Sequence, residues 1–95
     1  MPKHKEWLAF AIDDFKAAKC MLYADEIILG PALYHMQQCA EKSLKAFLVS
    51  KNQAPKRIHD LVELTHYYSM PDVTTALINL QQAKNILDFV ENKIA

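Results

Sequence analysis

The fold is decided between residues 31 and 51, which read PALYHMQQCAEKSLKAFLVSK. Apolar side chains recur in this segment every three or four residues, which is the spacing of one face of an α-helix. They form one stripe, made of Leu33, Met36, Ala40, Leu44 and Phe47. An unusually polar stripe lies beside it, made of Tyr34, Gln38, Glu41, Lys45 and Leu48. We therefore predict a long helix that buries one stripe and offers polar groups on the other.

A second long helix is predicted before this segment, from Lys5 to about Leu29. Glycine accepts the left-handed conformation in which helices often end, and proline suits a first helical turn, so Gly30-Pro31 marks the boundary between the two helices. So short a connection is typical of an antiparallel helical hairpin. The apolar stripe of this first helix contains Trp7, Phe10, Ala11, Ala17, Ala18, Met21 and Leu22, widened by Ile12 and Phe15.

Two more helices are predicted after Pro55, which cannot continue a helix. A short one runs from His59 to about Tyr68, and Pro71 separates it from a long last helix. The last helix is outlined by Val73, Leu77, Leu80, Ala83, Leu87, Val90 and Ile94. The predicted fold is all-α, an antiparallel up-and-down bundle of three long helices and one short helix, in a single domain over residues 1–95.

The charges limit which partners are expected. The 95 residues carry 11 basic and 11 acidic side chains, so the chain lacks the one-signed field of a protein that holds nucleic acid by charge alone, and no DNA is expected. Basic residues are in excess between residues 41 and 59, a segment that contains five basic side chains and one acidic side chain. A chain of this length is near the lower limit for a self-sufficient core, so we expect a homodimer.

The cysteines and the apolar runs indicate the compartment. Cys20 and Cys39 lie in apolar helical patterns and are interpreted as two small buried hydrophobes in a reducing environment. The longest apolar run, from Trp7 to Ile12, is far too short to span a bilayer, and no signal peptide begins the sequence. We therefore expect a cytoplasmic protein that does not contact membranes.

Three groups of residues, in this order, resemble the HEPN family. The first is Trp7-x-x-x-Ala11 followed by Asp13-Asp14. The second, within residues 34–48, is Gln38-x-x-Glu41-Lys42-x-x-Lys45-Ala46, which is similar to the family's Gln-x-x-Glu-Lys-x-x-Lys-Ala helix. The third is His59-Asp60-Leu61-x-x-Leu64. The resemblance covers roughly residues 5 to 66 and implies a HEPN-like helical bundle that dimerises, commonly encoded in bacteria beside a minimal nucleotidyltransferase as a toxin-antitoxin pair.

Active members of this family cleave RNA without a metal, using an Arg and a His separated by four to six residues. Arg57 is the only arginine here, and Val62, Glu63 and Leu64 stand where its His would lie. Ser69-Met70-Pro71 occupies the place of a typical Arg-Tyr-Pro. The usual ribonuclease motif is therefore absent from the sequence. The interval from His59 to Pro71 is also shorter than the family norm by about a helix, which indicates a trimmed variant or a segment lost near residues 65–71.

The polar stripe of the second long helix and the basic loop after it form the predicted site for nucleotide or RNA phosphate. Its residues are Tyr34, Gln38, Glu41, Lys45, Lys56 and Arg57. Arg57 and His59 are the candidate catalytic residues of a ribonuclease with a non-standard set, in which Lys45 would assist. The plainer alternative is an intrahelical Glu41–Lys45 pair on a solvated face, with a solvated loop after it.

Metal binding and base stacking are weaker alternatives. His59, Glu63 and His66 share one side of a helix but lack a closing ligand, so no metal and no cofactor is predicted. A stacking platform would need exposed aromatic residues interleaved with basic ones, a pattern not found along the sequence. We therefore expect the larger aromatic residues in the core or in a dimer interface, namely Trp7, Phe10, Phe15, Phe47 and Phe89.

Three functions remain open at this point. The first is a binding module that homodimerises, partners a nucleotidyltransferase and recognises nucleotide or RNA phosphate. The second is a metal-independent ribonuclease toxin. The third is a helical dimerisation adaptor without a ligand. Cleavage of RNA separates the first two, and retention of nucleotide or of a partner enzyme separates the first from the third.

Overall fold

Three α-helices account for most of the structure, a computed structural model that describes residues 3–52 and 73–94. Helix α1 spans Lys3–Leu22, α2 spans Leu29–Ser50 and α3 spans Val73–Ile94. Neither described stretch contains a strand. The predicted all-helical class is therefore confirmed. The predicted short helix from His59 to Tyr68 and the interval 65–71 lie outside the described residues.

The connection between α1 and α2 differs from the prediction. Helix α1 ends at Leu22, seven residues before the predicted end, and residues 23–28 are not helical. The Ile28 amide donates to the Met21 carbonyl oxygen at 3.2 Å, which fixes the path of this connection. Gly30 does not end a helix, because it lies inside the first turn of α2 and has no positive φ. Pro31 also lies in that turn, where its missing amide costs no helical hydrogen bond.

The residue with the left-handed conformation after the C-terminus of α2 is Asn52 and not a glycine. Asn52 has a φ of 58°, in the left-handed region that asparagine tolerates better than most residues. The Lys51 amide donates to the Phe47 and Leu48 carbonyl oxygens, and the Asn52 amide donates to that of Val49. These bonds satisfy carbonyl groups that the end of a helix leaves open. The predicted end of this helix, near Lys51, agrees with the structure.

Small side chains make up much of the buried core. One cluster joins the end of α1 to the starts of α2 and α3 and contains Ala18, Leu22, Ala32, Met36, Ala76 and Leu80. A second cluster contains Ala11, Cys39, Ala83 and Leu87. Alanine and cysteine bring little bulk, so helices that meet through them can approach closely. Larger, partly buried side chains, Phe15 among them, pack around these small residues.

The buried face of α2 is rotated from the predicted stripe. Its buried side chains on the core side are Ala32, Met36, Cys39, Ser43 and Ala46, whereas Leu33, Ala40, Leu44 and Phe47 are only partly buried. Met36 is the one residue shared with the prediction. In α3 the predicted stripe is correct for Leu80, Ala83, Leu87 and Val90, while Val73 and Leu77 are exposed.

The aromatic residues do not form the core. Phe10 and Phe89 are more than half exposed, and Trp7 and Phe47 are partly buried. Phe15 alone of the five packs against both core clusters. Phe10 and Phe89 are therefore not in the core, and their alternative position in a dimer interface stays a prediction.

The two cysteines differ in their surroundings. Cys39 is fully buried, and the Ser43 hydroxyl donates to its carbonyl oxygen at 2.7 Å. Burial raises the pKa of the Cys39 thiol to about 11, because the thiolate would lose its hydration. Cys20 is exposed, so its predicted burial is wrong. Neither cysteine forms a disulfide.

The described helices were compared with the length and apolar character of a membrane-spanning helix. None of α1, α2 and α3 combines the length and the apolar character that crossing a bilayer requires.

Candidate functional site

Polar and aromatic side chains line the contact between α1 and α2, a surface called here the α1–α2 seam. Between the helices, Asp14 contacts His35 and Lys42, Phe10 contacts Lys42, and Trp7 contacts Lys45. Tyr34, Gln38 and Glu41 join the seam through contacts with their neighbours on α2. The line Tyr34, Gln38, Glu41 and Lys45 and the line of His35 and Lys42 lie side by side on α2. The seam therefore contains the four predicted site residues of α2 together with residues that the sequence did not single out.

Asp14 is the centre of the seam. It is 7% exposed and both of its carboxylate oxygens are engaged. His35 Nδ1 lies 2.8 Å from one oxygen and Lys42 Nζ lies 2.7 Å from the other. A carboxylate at this distance favours the proton on Nδ1, so Nε2 of a neutral His35 is left as an acceptor. The cluster thus links the two helices and orients an imidazole.

Glu41 forms a second polar group one helical turn further along α2. Its side chain is nearly inaccessible, at 3% exposure, and it accepts from Lys45 Nζ at 2.9 Å. Gln38 Nε2 lies 3.5 Å from its other carboxylate oxygen, a long hydrogen bond. The plainer alternative, an intrahelical Glu41–Lys45 pair, is therefore present. It does not lie on a solvated face, because Glu41 is buried and Lys45 is mostly so.

Both seam lysines lie over aromatic rings of α1. Lys42 Nζ is 5.8 Å from the centroid of the Phe10 ring, and Lys45 Nζ is 4.9 Å from the Trp7 ring. These distances are within the range of a cation–π interaction. Aromatic and basic side chains therefore alternate across the contact between α1 and α2, although they do not alternate along the sequence. The interleaving arises between two helices, so it cannot be found along either one alone.

Tyr34 stands at the other end of the seam. Its ring packs edge-on against His35, with centroids 5.4 Å apart and planes inclined by 77°. More than half of Tyr34 is exposed, as is Phe10. Two largely exposed aromatic side chains therefore flank the polar centre of the seam.

The charges of the described seam cancel. Asp14 and Glu41 balance Lys42 and Lys45 when His35 is neutral, and each lysine is already paired with a carboxylate. A phosphate group therefore gains little from net charge here. It would have to replace a carboxylate at one lysine or find additional cations. The predicted cations Lys56 and Arg57, like the candidate base His59, lie outside the described residues.

The described residues do not form a metal site. Within residues 3–52 and 73–94 no group of three His, Cys, Asp or Glu side chains is arranged to hold a metal ion. Asp14 and His35 form a pair without a third ligand. The predicted alternative set of His59, Glu63 and His66 lies beyond the part of the chain that the structure describes.

Asp14, His35 and Lys42 are the seam residues that sequence reasoning missed as a site. One signal was available, because Asp14 lies three residues after Ala11 and four before Ala18 on the buried stripe of α1. A carboxylate on an apolar stripe is rarely buried without a partner. The identity of the partners depended on the register between α1 and α2, which the sequence does not display.

A family model described as the HEPN domain matches residues 4–93. No curated protein and no solved structure gives a significant match to the chain.

Proposed function

Because this chain belongs to the HEPN domain family, we propose that it is a non-catalytic binding module that holds nucleotide or RNA phosphate. The site comprises the α1–α2 seam and the basic loop with Lys56 and Arg57. The module homodimerises and acts in the cytoplasm as the partner of a minimal nucleotidyltransferase, in a pair of the toxin-antitoxin type. Its residues 1–95 act as one domain, an antiparallel up-and-down bundle.

The exposed aromatic side chains of Phe10 and Tyr34, on either side of the polar centre of the seam, support this proposal most directly. Single-stranded nucleic acid is held by aromatic faces on which bases stack and by cations that follow the backbone. Phe10 offers an exposed face beside Lys42, and Tyr34 offers another at the far end of the seam. Because the seam has no net charge, stacking provides more of its affinity than phosphate attraction does. The binding is therefore selective for unpaired bases.

The ribonuclease alternative has one observation in its favour. Asp14 orients His35 so that Nε2 can take a proton, as a general base for a 2′-hydroxyl must. The described seam lacks a free cation beside it for the phosphate, because Lys42 and Lys45 are each held by a carboxylate. The sequence also lacks the family's Arg and His spacing. Binding without cleavage is therefore the function that the residues support best.

Replacing Phe10 with alanine is expected to weaken binding of a single-stranded RNA oligomer by roughly 5- to 150-fold, the loss of one stacked base. Fluorescence anisotropy of an end-labelled ten-nucleotide RNA measures it, at several salt concentrations. The fold should survive, since Phe10 is more than half exposed.

Ile27→Ala is the matched control, because Ile27 is also an exposed apolar residue but lies in the α1–α2 connection. Its affinity should equal that of the unmodified protein. Equal affinity in the Phe10 variant would remove the seam from the site. If the unmodified protein does not bind RNA or nucleotide at all, the adaptor function is favoured.

A further inference from the structure

An uncharged stripe runs along the exposed side of α3. Its four residues are spaced by four, three and four positions, so they follow one line on the helix surface. They are Ile78, Gln82, Asn85 and Phe89, and all four are exposed. Ile78 and Phe89, at the two ends, are exposed by 55% and 54%. The core residues of α3, such as Leu80 and Leu87, lie on a different face.

The charged residues of α3 are kept away from this stripe. Residues 73–83 contain no charged side chain. Lys84 pairs with Asp88 at 2.7 Å and lies over the Phe15 ring of α1, so this pair is on the side of α3 that meets α1. Lys93 follows the stripe, with its ammonium 5.5 Å from the Phe89 ring. Depletion of charge with retention of large apolar residues is characteristic of the centre of a protein interface.

The order of the four residues is symmetric: apolar, amide, amide, apolar. Two antiparallel copies of such a stripe match each other at every position. Ile78 would meet Phe89 of the partner subunit, and Gln82 would meet Asn85 of the partner subunit. Asn85 Oδ1 already accepts from Gln81 Nε2 at 2.9 Å, and the Asn85 side-chain NH2 group remains to donate to the facing amide. A two-fold interface requires this self-complementarity, because the same surface is used twice.

We propose that this stripe is the contact between two copies of the chain, with α3 packed antiparallel on α3. The inference deepens the proposed homodimer, on which it rests, by naming its surface and register. A parallel pairing would set Lys93 against its own copy, whereas the antiparallel one sets it against Thr74. A partner of strong charge would find nothing to pair with on the stripe. The paired polar residues at the centre fix the register, as buried amides do in coiled coils.

Phe89 also contacts α2 of its own chain. Its ring lies 6.3 Å from the Phe47 ring, inclined by 47°. The ends of the stripe act as two apolar anchors, each formed by Ile78 of one copy and Phe89 of the other.

Two single variants and their combination test the register. The single variants are Ile78→Glu and Phe89→Lys. Because the interface is two-fold, each of them places a charge against an apolar side chain at both ends. Each should raise the dimer dissociation constant by at least about 100-fold. With both substitutions in one chain, each carboxylate faces an ammonium of the other copy, and the dimer should return. Sizing with light scattering over a range of micromolar concentrations measures the mass.

Leu77→Glu is the matched control, because Leu77 is exposed on α3 but lies one step around the helix from the stripe. It should remain dimeric. Far-ultraviolet circular dichroism checks that each variant is helical. Dimers that persist in both single variants would overturn the surface and leave the proposed homodimer on another face. An unmodified protein that is monomeric throughout would overturn both, and failure of the double variant to dimerise would overturn the antiparallel register.

Discussion

Replacing Leu87 with alanine is expected to lower the free energy of unfolding by about 3 to 5 kcal/mol. Leu87 is 2% exposed and is the largest fully buried side chain of the described residues. It packs in the cluster with Ala11, Cys39 and Ala83. These three neighbours are too small to extend into the space that the leucine vacates, so a cavity remains beside Leu8, Ile12 and Phe15, which pack against the cluster. Urea denaturation followed by circular dichroism measures it.

Leu77→Ala provides the comparison within the same helix. Leu77 is 39% exposed, so its truncation should cost less than about 1 kcal/mol. Similar losses in the two variants would mean that the faces of α3 are assigned incorrectly. The pair also separates the effect of a cavity from that of helix propensity, because both substitutions replace leucine with alanine within a helix.

Replacing Asp14 with alanine is expected to cost about 2 to 4 kcal/mol. The buried carboxylate accepts from His35 Nδ1 and from Lys42 Nζ, and its removal leaves both donors without their partner. The loss is smaller than for a fully buried ion pair, because Lys42 and His35 each retain some access to water. Thermal and urea unfolding both report this change.

Asp13 is an almost ideal control for this substitution, since it is the neighbouring aspartate and is exposed. Asp13→Ala should change the free energy of unfolding by no more than about 0.5 kcal/mol. A double-mutant cycle with Lys42→Met isolates the pair, and a coupling free energy near zero would mean that Asp14 and Lys42 do not stabilise each other. The stabilising effect of Asp14 would then come from its hydrogen bond with His35 alone.

The last helix shows how much of the fold the sequence predicts. The stripe of Leu80, Ala83, Leu87 and Val90 was evident from its spacing, and it is buried. Helix α3 packs its core on one side only, so hydrophobic spacing identifies that side correctly. The limits of α1 were less evident, because residues 23–28 include Ile27 and Ile28 and look apolar enough to continue the helix.

Helix α2 shows where the same reasoning fails. Leu33 and Leu44 are the larger apolar residues but are only partly buried, and Leu33 packs at the edge of a core cluster. Ala32, Cys39, Ser43 and Ala46 are the buried ones. Close packing selects small side chains, so ranking positions by hydrophobicity selects the wrong face. Ser43 can be fully buried because its hydroxyl bonds to the Cys39 carbonyl oxygen of the preceding turn.

The site was predictable only where it depends on one helix. The spacing of Gln38, Glu41 and Lys45 predicted their association, and the structure brings them together. The contacts of Asp14 with His35 and Lys42 join residues 21 and 28 positions apart. They depend on the register between two helices, which is set by packing, so no pattern along the chain indicates them. The aromatic–lysine contacts were missed for the same reason.

The most direct test of binding without catalysis is to incubate the purified protein with total RNA in the absence of added metal. The bound fraction and the lengths of the RNA are then measured, beside an Arg57→Ala, His59→Ala double variant. We expect RNA that is retained by the unmodified protein and remains intact. RNA that is cut by the unmodified protein and left whole by the double variant would contradict the account and identify a ribonuclease.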